Sequence, residues 1–445
     1  MSTPRALLAA ALLSLPWTGF AAGSTLVFQQ AVLPNGLTVV LHEDHSVPVV
    51  AVNLWYKVGS KHEEAGKTGF AHLFEHYMFE GSEHSPNGQY DRQISRMGGE
   101  MNATTSNDRT DYYATVPSEN LEEVLRLESD RMGFLQGAMS QQNLDKQRKI
   151  VKNEKRVRAN RAYGGLMEAL SALVWPDGHP YRWEVIGSMA DLDAASLADV
   201  KRFHSTYYRP NNAVLVLSGD IDPPDALVKV RKWFGPIPAG PAPAPLSVPA
   251  SAAGGRRERV LPDAKAQVPM VILAYRIPGK GQPGWTELSA AAAVLGGGRT
   301  SRLVNALQHE QRLVVGVGSG VFGLQESDIL YVEASPATGV APARVVAAIE
   351  AELAKLAKRG PSAAELKRVA AEIKTARLDA LQRVAGLAAS LAEGQAVLGD
   401  PGARDALDEA IGAVKARDVK SAAQRTLRPD NAAILTIVPS QGEKP

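Results

Sequence analysis

The sequence contains no cysteine among its 445 residues. Disulfide bonds and cysteine-ligated metal sites are therefore excluded, and any metal ion must be held by histidines and carboxylates. An excess of charge of one sign is also missing, since the formal net charge is only +2. The chain thus lacks the basic surplus that is typical of nucleic-acid-binding proteins, and we expect no nucleic-acid partner.

No apolar run near the N-terminus reaches the roughly 20 residues that span a bilayer. Arg5 precedes a shorter apolar run over residues 6–15, and small residues follow up to Ala21. This pattern is typical of a secretory signal peptide. We predict that residues 1–21 are removed and that the mature protein is periplasmic or secreted, without membrane contact. A retained membrane anchor is the alternative.

The length of the chain exceeds what one hydrophobic core normally holds, so two domains are expected. Residues 234–255 are rich in proline, alanine and glycine, a composition typical of extended linkers. We therefore predict an N-terminal domain at 22–235, a linker at 236–256 and a C-terminal domain at 257–445.

A weak repeat links the two predicted domains. Asp199-Val200-Lys201 and Arg209-Pro210 recur as Asp418-Val419-Lys420 and Arg428-Pro429, both 219 residues later (418 − 199 and 428 − 209). Each copy leads into an apolar run, as expected for a helix that enters a buried strand. We predict an α+β fold of two homologous mixed α/β half-domains, that is, a duplicated unit. Chance similarity of common turn residues is the alternative.

Local patterns in the first domain predict both strands and helices. Two partly alternating β-branched runs on either side of a polar turn at 43–46 indicate a hairpin. An apolar pattern of helical period follows at 70–79. The predicted strands lie at 37–41, 49–58, 101–105 and 112–116, and the predicted helices at 70–79, 119–135 and 142–170.

The predicted helix at 70–79 contains the string His72-Leu73-Phe74-Glu75-His76. Residues four apart lie one above the other on a helix face, so both imidazoles can converge on one tetrahedral ion. Glu75 lies beside them without having to bind the ion, where it can act as general base toward a metal-bound water. The string matches the inverted His-x-x-Glu-His pattern of zinc peptidases. Histidines scattered on a helix by chance are the alternative.

Two histidines leave the coordination of zinc incomplete, so a third ligand has to come from elsewhere in the chain. The predicted helix at 142–170 offers Glu154, which has apolar neighbours in the sequence. We predict one Zn²⁺ per chain, held by His72, His76 and Glu154, with the fourth position open for water. The N-terminal domain is thus predicted to be the zinc-binding one, and the C-terminal domain to have no metal site. A similar site of nitrogen and oxygen ligands can accept other divalent ions.

Several segments carry a resemblance to a known family. They are Gly69-Phe70-Ala71-His72-Leu73-Phe74-Glu75-His76 with Phe79-Glu80-Gly81-Ser82, Asn102-Ala103-Thr104-Thr105, and Val151-Lys152-Asn153-Glu154. With them, nearly the whole mature chain resembles the pitrilysin and insulinase family of zinc metallopeptidases, which includes the mitochondrial processing peptidases and their bacterial relatives. The resemblance implies that His72, His76 and Glu154 bind zinc and that Glu75 is the general base, as the spacing does.

Asn102, Ala103 and Thr104 resemble the exposed edge strand of that family, to which a substrate segment adds as a further strand through main-chain hydrogen bonds. Such binding depends more on the backbone than on side chains. The resemblance therefore implies broad specificity for extended or unfolded peptides and exclusion of compact folded proteins. An ordinary sheet edge is the alternative.

Two departures from the family pattern concern the surroundings of the site. Many relatives carry an acid seven residues before the ligand glutamate, where this chain has Gln147, and Asp145 is the candidate substitute. Relatives that act alone as closed clamshells supply an Arg and a Tyr from the second half, where this chain has Gln308 and Val315. We therefore expect a homologous partner subunit that lacks the zinc motif and carries the Arg/Tyr pair, or a homodimer.

Together these features predict a zinc-dependent endopeptidase that hydrolyses extended or unfolded peptides, with Glu75 as the general base. The alternative among enzymes is a dedicated maturation protease for one partner peptide. The alternative from another class is a catalytically idle binding or assembly subunit of the same fold. The intact set of Glu75 and three predicted ligands argues against the idle subunit.

Overall fold

The computed structural model describes residues 26–86, 88–249 and 255–440. The predicted signal peptide at 1–21 lies outside this part of the chain. The described residues form two β-sheets, each covered by helices. Among these helices, none combines the length and the apolar character that crossing a bilayer requires.

The first half of the chain forms a six-stranded sheet of order β1-β2-β6-β3-β5-β4. Its strands are β1 (Gln29–Val32), β2 (Thr38–Glu43), β3 (Val49–Tyr56), β4 (Glu100–Thr105), β5 (Thr110–Pro117) and β6 (Ala213–Gly219). Its helices are α1 (Phe70–Tyr77), α2 (Gln89–Arg96), α3 (Leu121–Ala138), α4 (Gln141–Ala159), α5 (Leu166–Val174), α6 (Met189–Ala194), α7 (Leu197–Tyr207) and α8 (Pro223–Phe234). This order leaves β4 at one edge of the sheet.

The second half forms a five-stranded sheet of order β7-β11-β8-β10-β9. Its strands are β7 (Arg257–Asp263), β8 (Met270–Pro278), β9 (Val314–Val321), β10 (Ser327–Pro336) and β11 (Ala433–Pro439). Its helices are α9 (Trp285–Gly296), α10 (Pro342–Arg359), α11 (Ala363–Leu381), α12 (Val384–Glu393), α13 (Ala403–Gly412) and α14 (Ala416–Thr426). Residues 238–249, between α8 and β7, form neither helix nor strand.

The two sheets repeat one topology. Strands β2, β6, β3, β5 and β4 correspond in order to β7, β11, β8, β10 and β9. Each sheet contains one parallel pair, β2 with β6 and β7 with β11. Helices α7 and α14 begin 219 residues apart (416 − 197), which is the offset of the sequence repeat. The predicted α+β fold of two homologous half-domains is therefore confirmed.

The halves also exchange one helix each. Helix α12 of the second half packs on the first sheet, where Leu391 contacts the cluster that contains Val216. Helix α5 of the first half packs in the same way on the second sheet, where Leu170 joins Leu435 in one apolar cluster. The linker thus separates the two sheets but not all the helices that cover them. The domain boundaries at 22–235 and 257–445 stay a prediction.

Two local predictions were wrong. Strands β2 and β3 exist, but they do not form a hairpin, because β6 lies between them, parallel to β2 and antiparallel to β3. A polar turn between two strands does not reveal that a third strand, far along the chain, is inserted. The helix predicted at 142–170 is two helices, α4 and α5. The chain turns at 160–165, where Tyr163 has a φ of 62° and Gly164-Gly165 follow.

A buried ion-pair cluster fastens the two halves to each other. Lys61, whose side chain is 4% exposed, lies with its Nζ 3.1 Å from Asp108 Oδ1 and 2.7 Å from Glu326 Oε1. The hydroxyl of Tyr181 donates to Asp108 and accepts from the backbone N–H of Glu326. The loop between β4 and β5, which carries Asp108, is therefore anchored to the second half.

Candidate metal centre

Helix α1 holds the histidine motif in a fixed orientation. Gly69 caps its N-terminus with a φ of 89°, and a Cβ at Gly69 would lie only 2.7 Å from the carbonyl oxygen of Ile186, so the position requires glycine. The carboxylate of Glu63 accepts hydrogen bonds from the N–H groups of Gly69 at 2.9 Å and Ala71 at 2.8 Å. Burial raises the pKa of Glu63 to about 8, and these two N–H groups, at the positive end of the helix dipole, oppose that rise. Phe74 and the other apolar residues of α1 are buried in the first core.

Helix α4 brings Glu154 to α1. Leu144, Gln147 and Val151 are buried along one face of α4, which packs against α1, and Glu154 continues this stripe at helical spacing. The apolar neighbours Ile150 and Val157 are 41% and 45% exposed. The position of Glu154 therefore follows from the buried stripe, which includes its third apolar neighbour, Val151, and not from Ile150 or Val157.

The three predicted ligands meet in one place. Their ligand atoms all lie within 4.8 Å of one another, and Glu154 Oε2 is 3.5 Å from His72 Nε2 and 3.6 Å from His76 Nε2. Two atoms that bind one tetrahedral zinc at about 2.1 Å are about 3.4 Å apart, whereas a direct hydrogen bond would be about 2.7–3.0 Å long. The spacing therefore fits a small cation between the three atoms better than a hydrogen bond.

The charges around the cluster suit a cation. Burial, together with the nearby His76 and Arg158, lowers the pKa of His72 to about 3. The His72 imidazole is therefore neutral near pH 7, as a metal ligand must be. Arg158 lies one turn after Glu154 and donates to its Oε1 at 3.1 Å. One carboxylate oxygen is thus held by the guanidinium group, while the other faces the two imidazoles.

Glu75 lies between the two histidines in sequence and next to the edge of the first sheet. Burial raises the pKa of its carboxyl group, and a hydrogen bond from the hydroxyl of Thr105, on β4, opposes that rise. A carboxylate whose pKa is closer to neutrality is a better proton acceptor and donor at physiological pH. The hydroxyl of Thr105 thus lies next to the Glu75 carboxyl group at the end of β4.

Strand β4 is the exposed edge that the sequence predicted. Asn102 is exposed, Ala103 is buried and Thr104 lies between these extremes. The Asn102 Oδ1 accepts a hydrogen bond from the backbone N–H of Ala103 at 2.8 Å. An added strand that uses this N–H must displace the Asn102 side chain. The hydroxyl of Thr104 donates to Asp111 of β5 at 2.6 Å, which holds this part of the edge rigid.

The buried Gln147, where many relatives have an acid, donates a hydrogen bond to the carboxylate of Glu80. Asp145, the candidate substitute, forms an ion pair with Arg148 at 3.4 Å instead. The acid next to this position is thus Glu80, four residues after His76.

The second half carries no similar cluster of metal ligands within the part of the chain that the structure describes. Helix α9 has four alanines at 290–293, and α11 has Ala376, near the positions that correspond to the motif and to Glu154. Gln308 and Val315 lie side by side, because Gln308 Nε2 donates to the carbonyl oxygen of Val315 at 3.2 Å. Both side chains are accessible to a second polypeptide, and Val315 is 62% exposed.

Comparison with known proteins identifies the family. One family model, described as "Insulinase (Peptidase family M16)", matches residues 38–177. A second, described as "Peptidase M16 inactive domain", matches residues 194–373. The zinc protease PqqE of Helicobacter pylori is 30% identical over 369 residues, which are 81% of this chain and 82% of that protein. The chain belongs to the M16 peptidase family. The resemblance seen in the sequence is therefore confirmed.

Solved M16 structures share the fold over nearly the whole chain. A protease from Helicobacter pylori superposes with a TM-score of 0.87 at 27% identity, covering 93% of this chain and 100% of that chain. The periplasmic protease PqqL from Escherichia coli superposes with a TM-score of 0.79 at 21% identity, covering 95% of this chain but 48% of that chain. At 21% identity the likeness shows the fold alone.

Three residues that shape the cluster were missed in the sequence. The role of Arg158 could have been predicted, because a glutamate followed four residues later by an arginine forms a favourable ion pair on a helix. Thr105 lies in the motif that resembles the family's edge strand, but its bond to Glu75 depends on how α1 crosses β4. The role of Glu63 could not have been predicted from the sequence, because its partners are backbone N–H groups, which every residue type except proline provides.

Proposed function

We propose that this M16 protein is a zinc-dependent endopeptidase that hydrolyses extended or unfolded peptides. In this proposal His72, His76 and Glu154 hold one zinc ion per chain and Glu75 is the general base. The observation that carries the proposal is that Glu154 Oε2 lies at the ligand spacing of a tetrahedral site from both imidazoles, with all three ligand atoms within 4.8 Å of one another. The names of the relatives, which include a zinc protease at 30% identity, agree with it.

The chemistry divides between the ion and the side chains. Zinc, when bound, would polarise the scissile carbonyl group and acidify the attacking water. Glu75 would take a proton from that water and pass it to the leaving amine. Thr105 keeps Glu75 at the edge of β4, and Arg158 keeps Glu154 turned toward the imidazoles.

The substrate is proposed to bind at β4 as an additional strand. Asn102, Ala103 and Thr104 would supply the edge, and β4 lies against α1, which carries the motif. Binding through main-chain groups requires an extended peptide and tolerates many side chains. A dedicated maturation protease would instead leave a panel of unrelated peptides uncleaved and act on one native partner.

The role of Glu75 is tested by Glu75→Gln, which keeps the shape of the side chain and removes its basicity. We expect turnover of an unstructured peptide to fall roughly 100-fold or more, while zinc stays near one equivalent per chain. Glu64→Gln, at an exposed glutamate of the same loop–helix region, is the matched control and should retain full activity. Undiminished turnover in Glu75→Gln would refute the assignment of the base.

We further propose that a second subunit completes the working chamber. Gln308 and Val315 occupy the positions where self-sufficient relatives have an Arg and a Tyr, and the fold of this chain covers only 48% of PqqL. A homologous subunit without the zinc motif, carrying that pair, or a second copy would supply the missing surface. Full activity of the purified chain as a monomer would remove the need for either.

A periplasmic or secreted location is part of the proposal. It is supported by the signal-peptide pattern at 1–21 and by the shared fold with PqqL, a periplasmic protease. N-terminal sequencing of the protein from a bacterial periplasmic extract tests it, and a retained Met1 in a cytosolic fraction would contradict it.

A further inference from the structure

A cavity of about 600 Å³ lies between the two halves of the chain, beside the end of β4. From the first half it is lined by the turn between β4 and β5, by Asp111 of β5 and by Trp55 of β3. From the second half it is lined by α11, α12 and α13 and by the loop after β9. Pockets that hold small ligands have about 300–1,000 Å³, so this space can hold a large side chain. We call it the interhalf cavity.

The register of the first sheet connects the interhalf cavity to the edge strand. Thr104 of β4 pairs with Asp111 of β5, and Asp111 pairs with Trp55 of β3. Residues directly opposite each other in neighbouring strands point to the same face of a sheet. The hydroxyl of Thr104 donates to Asp111 at 2.6 Å, and Asp111 and Trp55 line the cavity. This row of three side chains is therefore on the face of the cavity.

The next row across the same strands points to the opposite face. Thr105 pairs with Thr110, and Thr110 pairs with Tyr56, which is fully buried in the first core. The hydroxyl of Thr105 lies next to the carboxyl group of Glu75. One row thus begins beside the proposed general base, and the adjacent row leads to the interhalf cavity.

A peptide that adds to β4 as a further strand continues both rows. Successive residues of a strand point to opposite faces. The peptide residue beside Thr105 is therefore on the face of Glu75, and the residue beside Thr104 is on the face of the interhalf cavity. These two residues are neighbours in the peptide. A long side chain can thus reach the cavity from the position next to the residue that lies beside Glu75.

The second half gives the interhalf cavity an apolar wall with free space. Helices α11 and α12 contribute Ile373, Ala376, Ala380 and Ala389 to the lining. Ala376 is exposed, and Phe322, which follows β9 and also lines the cavity, is 37% exposed. The short alanine side chains leave room for a larger group. Covering this apolar surface with an apolar side chain removes it from water and favours binding.

The charged groups of the lining are already paired with one another. Each arginine of the lining contacts a carboxylate of the lining: Arg109 contacts Asp111, Arg377 contacts Asp405 and Arg404 contacts Asp408. Arg404 Nε also lies 3.1 Å from Glu393 Oε2. A charged side chain would lose its hydration and would have to compete with these pairs for a partner. The cavity therefore favours an uncharged, apolar side chain.

We propose that the interhalf cavity is a specificity pocket for one large apolar side chain of a peptide bound at β4. The selected residue is the neighbour of the residue that lies beside Glu75. This inference rests on the proposed binding of peptide substrates at β4, and it narrows their class. Most positions of the extended peptide are free, whereas one position selects an aromatic or long aliphatic residue.

The test measures peptide binding to the Glu75→Gln variant, so that no turnover is needed. The probes are labelled peptides of alanine, serine and glycine that differ only at one central residue, which is Phe, Ala or Lys. We expect the Phe peptide to bind about 10-fold to 100-fold more tightly than the Ala peptide in fluorescence anisotropy, the worth of one buried aromatic side chain. The Lys peptide should bind no more tightly than the Ala peptide.

Variants of α11 locate the preference. Ala376→Phe, added to the Glu75→Gln variant, fills the cavity from an exposed position and should make the Phe and Ala peptides bind equally. Ala380→Leu, one turn later on α11, should reduce the preference in the same way. Ala371→Phe, at an exposed alanine of α11 outside the lining, is the matched control and should keep the full preference.

Equal binding of the Phe and Ala peptides, or no saturable binding of either, would overturn the proposal. A preference for Phe that persists in both Ala376→Phe and Ala380→Leu would also overturn it, because the side chain would then bind elsewhere. Wild-type cleavage separates this proposal from the proposed function. Preferential binding without cleavage of any probe would refute the peptidase and leave the pocket. Cleavage of the Phe and Ala peptides with equal kcat/KM would refute the pocket and leave the peptidase.

Discussion

His204 makes the packing behind the metal-binding helix sensitive to acid. Its ring is fully buried and stacks on Phe74 of α1 at 5.8 Å and on Tyr208 at 5.8 Å. Gln136 donates a hydrogen bond to its Nδ1 at 3.1 Å. Burial, together with the charge of Arg209, lowers the pKa of His204 to about 3. Protonation is therefore far easier in the unfolded chain than in the folded one.

The sign and size of the effect follow from this difference. The unfolded state takes up a proton on His204 as the pH falls below about 6.5, while the folded state does so only near pH 3. The contribution of His204 to the free energy of unfolding is therefore at its maximum above pH 6.5, and it decreases as the pH falls toward 3. Between pH 8 and pH 5 this residue alone should remove about 2 kcal/mol of stability.

The assay compares the wild type with His204→Phe, which keeps a ring of similar size and cannot titrate. Urea unfolding, followed by tryptophan fluorescence at pH 8 and pH 5, gives the loss of stability for each. The loss should be about 2 kcal/mol smaller in the variant. His309→Phe, at an exposed histidine, should behave like the wild type. An identical pH dependence in His204→Phe and the wild type would refute the reasoning.

Three further changes test the contacts described above. Lys61→Met removes the cation that two carboxylates share between the halves and should lower the free energy of unfolding by about 3–5 kcal/mol in urea titrations. Leu391→Ala, at the fully buried contact of α12 with the first sheet, should lower the free energy of unfolding by about 2–5 kcal/mol. A decrease below about 0.5 kcal/mol would contradict the packing of α12 on the first sheet. Glu154→Gln should weaken zinc binding at least about 10-fold in chelator competition, whereas exposed Glu168→Gln should not change it.

The grouping of the two histidines with Glu75 could be predicted from the sequence, because it depends on local geometry. His72, Glu75 and His76 lie within one helical turn and a half, so their relation is set by helix geometry alone. Glu154 is far from them in sequence, and it was predicted from its apolar neighbours and from the family resemblance; the structure brings it to the two histidines. Of its three apolar neighbours, Val151 is buried beside α1, whereas Ile150 and Val157 are exposed.

The topology could be predicted only where the chain repeats itself. The offset of 219 residues indicated two equal halves, and the strand order of both sheets agrees with it. The insertion of β6 between β2 and β3 could not be predicted, because neighbouring strands in sequence usually pair. The packing of α5 and α12 on the sheet of the other half could not be predicted from the sequence either. An amphipathic helix shows that it must be covered, but not by which half.

One metal ion held jointly by His72, His76 and Glu154 is the feature on which the proposed function depends. The most direct test is anomalous diffraction at the zinc edge from crystals of the protein purified without chelator. We expect one peak, about 2.1 Å from Nε2 of each histidine and from Oε2 of Glu154. A crystal of active enzyme without density between these atoms, or with the carboxylate of Glu154 turned away from both imidazoles, would contradict the assignment.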